Sequence, residues 1–564
     1  MKSYIQEHTN PPVFFISGAV VLVFLVVGVA IPEQFGEAAS NIRNWIGLNF
    51  GWFYIISTTF FLILSAALML SRYGNIRLGP DSSRPEFSTL AWFAMLFTAG
   101  MGIGLVFWGV AEPAYHAAND YIAQTAGVPA DPTQRTPADD AANASTAMQF
   151  TLFHWGFHPW AVYIILGLSL GYFCFRKGLP MRPASALYPL IGNRIYGWLG
   201  NLIDILAVFG TLFGLATSLG LGTMQVNTGL NQEFGVPVSP FVQTLIIILI
   251  TSVAVVSVVA GIDKGIRRLS VINLWLAAAL LLIMFLIGPK LWILSMMYTG
   301  AGDYLQNLVQ MSLDFAVNSP AGTVPAADFA NTWTIFYWGW WISWSPFVGM
   351  FLARISYGRT IRQFVVGTLF APVGVSVLWF GVFGGTGIFY DLFRLGDKEQ
   401  ISDLASEAEA TFHLIDAFPL PGIFLSLLAL LTMVVVVVFF ITSSDSGSLV
   451  VDMLTNGGDP HPVRIQRIFW ATMEGVITIV LLVIGGSKAL EALQAAAVST
   501  GLPFAVVLVI IGFSLLKALR SEDPISMLPQ SLKPSGSPSR PDAAASGERV
   551  PVAAPDNVDK PTAE

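Results

Sequence analysis

Charge is what this chain has least of. Lys, Arg, Asp and Glu together make up 11% of its 564 residues, against 54% hydrophobic ones. That balance excludes a string of soluble domains and specifies an all-α polytopic membrane protein. Cysteine occurs once, at Cys174, which excludes an internal disulfide and any cysteine-built metal site. Within its apolar segment Cys174 reads as inert packing. Paired acid and base groups, a nucleophile triad and a phosphate-binding glycine loop are all lacking. An enzyme is therefore not expected, nor an organic cofactor, nor a nucleic-acid partner. The net charge of −7 sits mainly in loops and tail and says little about partners.

What fills the chain instead is a series of twelve apolar runs, at 13–31, 51–70, 89–110, 147–175, 199–225, 240–260, 270–297, 331–354, 362–388, 420–444, 465–486 and 501–519. The first lacks a small-residue cleavage signature and reads as retained. Loops after even-numbered runs carry the basic residues, such as Arg72, Arg77 and Arg84, or Lys264, Arg267 and Arg268. The intervening loops hold few. By the positive-inside rule both termini are expected in the cytoplasm of a bacterial inner membrane. Lys290 is the misfit: either the seventh run ends before it, or it snorkels. The outer loops 112–146 and 389–419 are long and acidic, a solvated surface or a lure for cations. Residues 301–317 look amphipathic, suited to the outer interface. Residues 521–564 read as a disordered tail whose acids outnumber its bases, unlike a polybasic lipid-binding segment.

The densest feature is Tyr337-Trp338-Gly339-Trp340-Trp341-Ile342-Ser343-Trp344-Ser345-Pro346-Phe347, with four tryptophans in seven residues. At about 100° per residue, Tyr337, Trp340, Trp341 and Trp344 share roughly a third of a helix circumference. Pro346 is expected to interrupt the helix just beyond. An interfacial aromatic belt is one reading. A pocket that holds an organic cation by cation–π attraction is the other, and the one-face density favours it.

Three runs carry features that a plain membrane anchor avoids. Ala99-Gly100-Met101-Gly102-Ile103-Gly104 places three glycines in five positions, off any single face, which predicts local unwinding. The tenth run ends in Phe439-Phe440-Ile441-Thr442-Ser443, whose adjacent hydroxyls suit a small alkali cation or bond back to their own helix. Set against unwound carbonyls, they could complete a sodium site of the kind that broken transporter helices provide. The fourth run opens with His154-Trp155-Gly156-Phe157-His158-Pro159-Trp160, and Tyr163 lies two turns beyond Trp155 on the same face. The histidines suit hydrogen bonding at a helix start, or proton carriage. Asp204, Asp445 and Glu474 are intramembrane acids that cap helix ends or carry protons.

These motifs, together with Gly261-Ile262-Asp263-Lys264-Gly265-Ile266-Arg267-Arg268 and the stretch from Trp338 to Gly358, resemble the betaine/choline/carnitine transporter family over nearly the whole chain up to about residue 520. The resemblance implies a leucine-transporter-like core of two inverted five-helix repeats. On that pattern 1–12 is a short cytoplasmic N-terminus and 13–88 holds two peripheral helices. The first repeat is 89–297, an outer segment occupies 298–330, and the second repeat is 331–520. It also implies an aromatic substrate box of Trp155, Trp160, Tyr163, Trp340, Trp341 and Trp344. Ser218 and the backbone around Ala99 and Met101 would lie near the substrate carboxylate. One sodium site would use Thr98, Met101, Phe439, Thr442 and Ser443. A second would use Thr211 and Phe347, but Leu215 stands where the pattern has another threonine and brings no side-chain oxygen.

Choline carriers of the family place an acid where this chain has Gly104, so a zwitterion is the expected cargo. The expectation is then sodium-coupled uptake of a zwitterionic osmolyte, glycine betaine first, by alternating access. The alternatives are a sodium-independent exchanger and a proton-coupled choline or carnitine carrier. Lipid and a homotrimer are the further partners that the resemblance implies, and no cofactor beyond the coupling sodium.

Overall fold

Lipid offers no hydrogen bonds to a bare backbone, so a chain this apolar must satisfy its peptide groups internally. The computed structural model describes residues 9–100, 102–260, 266–314, 325–393, 399–459 and 463–528, and does so as helices joined by short turns. Among those residues the only strand-like pairing is one isolated bridge, Arg77 to Thr360.

The longer helices are α1 (Pro11–Ala30), α2 (Pro32–Leu70), α3 (Thr89–Gly100), α4 (Ile103–Ala117), α5 (Pro137–Trp155), α6 (Phe157–Leu170), α7 (Trp198–Phe234), α8 (Pro240–Ala260), α9 (Ile266–Ile287), α10 (Lys290–Ser312), α11 (Ile335–Ile355), α12 (Ile361–Phe393), α13 (Gly422–Thr455), α14 (Arg464–Gly485) and α15 (Ala489–Arg520). Among the described residues, ten helices are long and apolar enough to cross a bilayer. The expected runs 89–110 and 331–354 are not among them. The first is split between α3 and α4, and the second is loaded with tryptophan, serine and glycine rather than aliphatic side chains.

α7 and α11 form the middle of the bundle. α7 packs on α13, α15, α11 and α14, and α11 packs on α6, α15 and α7. Small residues allow the close approach: a Cβ on Gly210 or Gly214 of α7 would meet the α11 backbone at Ser343 and Trp344. α1 and α9 are the reverse case. Only 28% and 22% of their apolar windows are buried, so most of their side chains lie on the outside of the bundle.

Several expected boundaries move. The seventh run does not reach residue 297: α9 stops at Ile287, and after Gly288-Pro289 a separate helix begins at Lys290. Lys290 is therefore a first-turn residue, and its ammonium donates to the Leu286 carbonyl. Of the segment expected along the interface, residues 301–312 are the second half of that helix, α10, and 315–317 lie outside the described residues. The tenth run does not end at 444; α13 continues to Thr455. The outer loop does not begin at 112, because α4 runs on through Glu112 and Pro113 to Ala117. Pro346 does not interrupt its helix either. The carbonyl that loses its partner to proline is that of Ile342, and the Ser345 hydroxyl donates to it instead, at 2.7 Å. The tail expected from residue 521 is placed as far as 528, including a turn at Pro524–Met527; residues 529–564, and the 261–265 part of the glycine-rich loop motif, lie outside the described residues.

Candidate functional site

Two helix breaks bring the site together. At the first, Gly102 (φ −119°, ψ −144°) separates α3 from α4. At the second, Gly156 (φ −99°, ψ −129°) separates α5 from α6. The motif His154 to Trp160 thus lies at a break inside its span, not at the start expected of it. A side chain at Gly156 would strike the Leu152 carbonyl and the Tyr304 hydroxyl, so glycine is required there. Breaking a helix orphans backbone groups, and each needs a partner. The Trp341 indole donates to the His154 carbonyl at 2.9 Å, the Ser376 hydroxyl donates to the Trp155 carbonyl at 2.9 Å, and the Phe157 N–H donates to the Tyr304 hydroxyl at 2.9 Å. One of the expected box residues thereby holds the break that presents another.

The rings expected to form a box do meet. Trp340 and Trp341 stack at 4.6 Å between centroids with planes 14° apart, and Trp344 continues the row at 6.2 Å from Trp341. Trp155 stands edge-on to Trp341 at 4.9 Å. Tyr163 closes the other end, 6.5 Å from Trp341 and 6.3 Å from Trp344, and Trp160 packs edge-on behind it at 5.5 Å. All six are at most 3% exposed. The indole N–H groups of Trp340 and Trp344 and the Tyr163 hydroxyl are buried with no partner among the described residues. A cage whose walls are π faces and whose frame holds open donors can take a cation and an anion of one small molecule.

Gly104 lies against this cage. A Cβ there would come 2.5 Å from Trp340 and 3.0 Å from Trp155, so the close ring packing depends on the missing side chain. Gly102 faces two ways: its Cβ position is 3.6 Å from the Trp344 ring and 3.7 Å from the Ser443 hydroxyl. The unwound step is thus shared between the cage and the hydroxyl pair of α13. Thr442 bonds back to Val438 and Phe439 carbonyls at 3.0 and 3.1 Å, which fixes its oxygen while leaving lone pairs open. Met101 lies outside the described residues, and of Thr98 and Ala99 only their place in the last turn of α3 is described.

The other expected positions are less convergent. Ser218 bonds back to Gly214 at 3.3 Å and contacts no ring of the cage by hydrogen bond. Thr211 is buried, with an unpartnered hydroxyl, and Phe347 packs on Trp344 at 5.7 Å. Leu215 fills the space against Gly447 of α13. The next hydroxyl along α7, that of Thr217, does not replace the missing oxygen: it donates to the Phe213 and Leu493 carbonyls and points to α15.

The residue that sequence reasoning missed is Glu112. Its Oε2 accepts the Trp155 indole N–H at 2.6 Å and the Tyr337 hydroxyl, and its Oε1 lies 2.7 Å from His154 Nδ1. His154 Nε2 reaches Thr334 at 3.0 Å. His158 instead bridges to Ser312 of α10 at 3.0 Å and stacks on Trp338. Glu112, His116 and His154 bring ligand atoms within 4.8 Å of one another. Imidazoles suit transition metals rather than sodium, and His154 is already engaged at both nitrogens. The signal for Glu112 was its place eight residues after Gly104, two turns along one face; Glu-Pro read as a loop start and hid it.

A helical membrane bundle with a buried aromatic cage at paired helix breaks is the architecture of a small-solute carrier. Residues 12–524 match the model of the betaine/carnitine/choline family transporters, and the chain belongs to that family. A probable glycine betaine transporter of Desulfitobacterium hafniense is 41% identical over 91% of this chain and 98% of its own length. A glycine betaine transporter of Vibrio parahaemolyticus is 44% identical over 91% and 94%. A glycine betaine/proline/choline transporter of the same organism is 42% identical over 91% of each.

Proposed function

We propose that this transporter is a sodium-coupled symporter of a zwitterionic quaternary-ammonium osmolyte, with glycine betaine first. It would work by alternating access through two inverted five-helix repeats in a twelve-span bundle, with both ends cytoplasmic. The observation that carries this reading is the cage of Trp155, Tyr163, Trp340, Trp341 and Trp344, packed on a helix step whose other side is Ser443. Trimethylammonium sits against the ring faces; the carboxylate takes the open donors. Sodium at Thr442, Ser443 and the carbonyls of Thr98, Met101 and Phe439 ties the step to α13, and so links ion entry to cage geometry. Each charge moved inward gains about 2.3 kcal/mol per 100 mV. The betaine specificities in the relatives' names support the cargo. Uptake of labelled betaine into proteoliposomes should rise several-fold with external sodium over equal potassium, and Thr442→Ala should weaken that dependence. Equal uptake in the two salts overturns the coupling.

A second reading, choline uptake, is favoured by one observation. Glu112 places a carboxyl directly behind Trp155 and Tyr337, so a counter-charge is available without an acid at Gly104. Choline also appears in one relative's name. Competition of unlabelled choline against labelled betaine discriminates the two: displacement at similar concentrations favours the cationic cargo, and none favours the zwitterion.

A further inference from the structure

Glu474, at the middle of α14, takes no part in the cage, yet it is wholly buried. Its Oε2 accepts the Ser444 hydroxyl at 3.0 Å. Its Oε1 has no partner among the described residues and points at Gly447, beside the methyl groups of Leu215. The nearest basic group does not serve it. Arg467, two turns earlier on α14, donates to Asp445 at 2.7 Å, and Asp445 also accepts the Ser257 hydroxyl at 2.6 Å. From α13 the ionisable groups facing this region are Asp445, which acts on Glu474 as a like charge, and Asp452, which faces Arg467. α1 and α8 contain no ionisable residue; α8 contributes Thr251, whose unpartnered hydroxyl lies over Gly475. On α7, Asp204 is taken by Arg182, and Glu233 closes the far end. α2 and α15 carry theirs at Glu33, Glu37, Arg43, Glu491, Lys517 and Arg520. The turn before α15 adds Lys488.

A carboxyl with one oxygen engaged, the other open and no cation paired to it has a vacant place for one proton. Its engaged oxygen is tied to Ser444, whose Cα is about 3.8 Å from that of Ser443. We propose that Glu474 is a proton-binding site linked to the hydroxyl pair Thr442 and Ser443, so that a cation entering that pair drives a proton off Glu474 to water. The proposal rests on the sodium reading of that pair. The two sites are joined through adjacent residues of α13, with Ser444 on Glu474; charges about 10 Å apart at an intermediate dielectric change one another's affinity by roughly tenfold. Protonated Glu474 weakens sodium binding; ionised Glu474 strengthens it. The coupling is reciprocal, so sodium must also lower proton affinity by the same factor.

The test uses the purified full chain in detergent, with sodium titrated by tryptophan fluorescence between about pH 9 and about pH 5.5, and proton release followed by an indicator dye in weak buffer. The expected wild-type result is a sodium Kd about tenfold weaker at the acid end, with protons released on sodium addition. Glu474→Gln should bind sodium with a flat pH profile and release none. Ser444→Ala, which frees Oε2 while keeping the acid, should retain the release but move its pH midpoint. Sodium binding that is pH-independent in the wild type, or pH-dependent still in Glu474→Gln, overturns the assignment. No fluorescence response to sodium at any pH overturns the sodium reading itself, and this one with it.

Discussion

Glu112 holds one cage ring and two groups beside it with two oxygens, so its removal has a definite signature. Glu112→Ala leaves the Trp155 indole, the Tyr337 hydroxyl and His154 without their shared acceptor. Stranding buried polar groups costs about 1–3 kcal/mol each when a neutral partner is lost. The expected outcome is a lower melting temperature and betaine affinity weakened by tenfold or more, read by tryptophan quenching. Glu112→Gln keeps an acceptor oxygen and should recover part of both. Gly104 tests the cage from the opposite side. A methyl at 2.5 Å from Trp340 forces that ring to shift, and overpacking of this kind costs about 1–3 kcal/mol. Gly104→Ala should therefore lower affinity for betaine and choline alike. Selective loss of betaine alone would show instead that the packing at position 104 fits one cargo and not the other. Trp341→Ala removes a ring face and the donor that holds the α5–α6 break, and should cost more than the about 0.5–2 kcal/mol of one cation–π contact.

At the scale of elements, spacing made the cage legible and local rules misplaced its frame. Trp340, Trp341 and Trp344, and Trp155 with Tyr163, were readable because a helix repeats every 3.6 residues; Trp160 came only from the family resemblance. The unwound step at Gly102 was readable from glycine's low helix propensity. What could not be read was compensation supplied by neighbours. Pro346 looks like a stop, yet its helix continues because Ser345 serves the carbonyl that proline abandons. Gly156 looks ordinary, yet it breaks a span because Tyr304, Ser376 and Trp341 wait for the freed groups. Glu112-Pro113 looks like a loop, yet α4 carries it into the core. Ser345→Ala exposes the first of these. It should lower stability by about 1 kcal/mol, the worth of one buried hydrogen bond. Adding Pro346→Ala restores a backbone N–H to the Ile342 carbonyl and should return the loss. A thermal-shift series over the two single variants and the double variant decides it, and equal melting temperatures for Ser345→Ala and the wild type would contradict the account.

Across the whole molecule, one carboxylate fastens segments far apart in the chain. Glu522, just past α15, accepts the Tyr172 hydroxyl at 2.6 Å, the Arg176 guanidinium at 2.9 and 3.1 Å, and pairs with Lys177. Arg176 reaches on to Asp81 and the Gly79 carbonyl in the turn after α2. The turn after α6, the loop before α3 and the exit of α15 are thus clamped at one point, on the side where the basic loops gather. Burial alone would push the Glu522 carboxyl up; the hydrogen bonds from Arg176, Lys177 and Tyr172 outweigh it and hold it down at about 2. A carboxyl depressed on folding contributes stability above its ordinary value and loses that contribution as pH falls toward the depressed one. The clamp should therefore be intact from neutral pH down to about 4.5 and fade between there and about 2. Glu522→Gln lacks the charge at every pH. Its melting temperature should sit below the wild type by an amount equivalent to about 1–3 kcal/mol, constant from about pH 8 to 5 and narrowing only below the ordinary carboxylate range. Arg176→Ala should give a similar profile with a larger loss, because it also strands Asp81 and the Gly79 carbonyl, and the double variant should cost less than the sum of the two, since both remove the Glu522–Arg176 pair. A gap that closes already near pH 6, or two losses that simply add, would mean that the three segments are held by something other than this carboxylate.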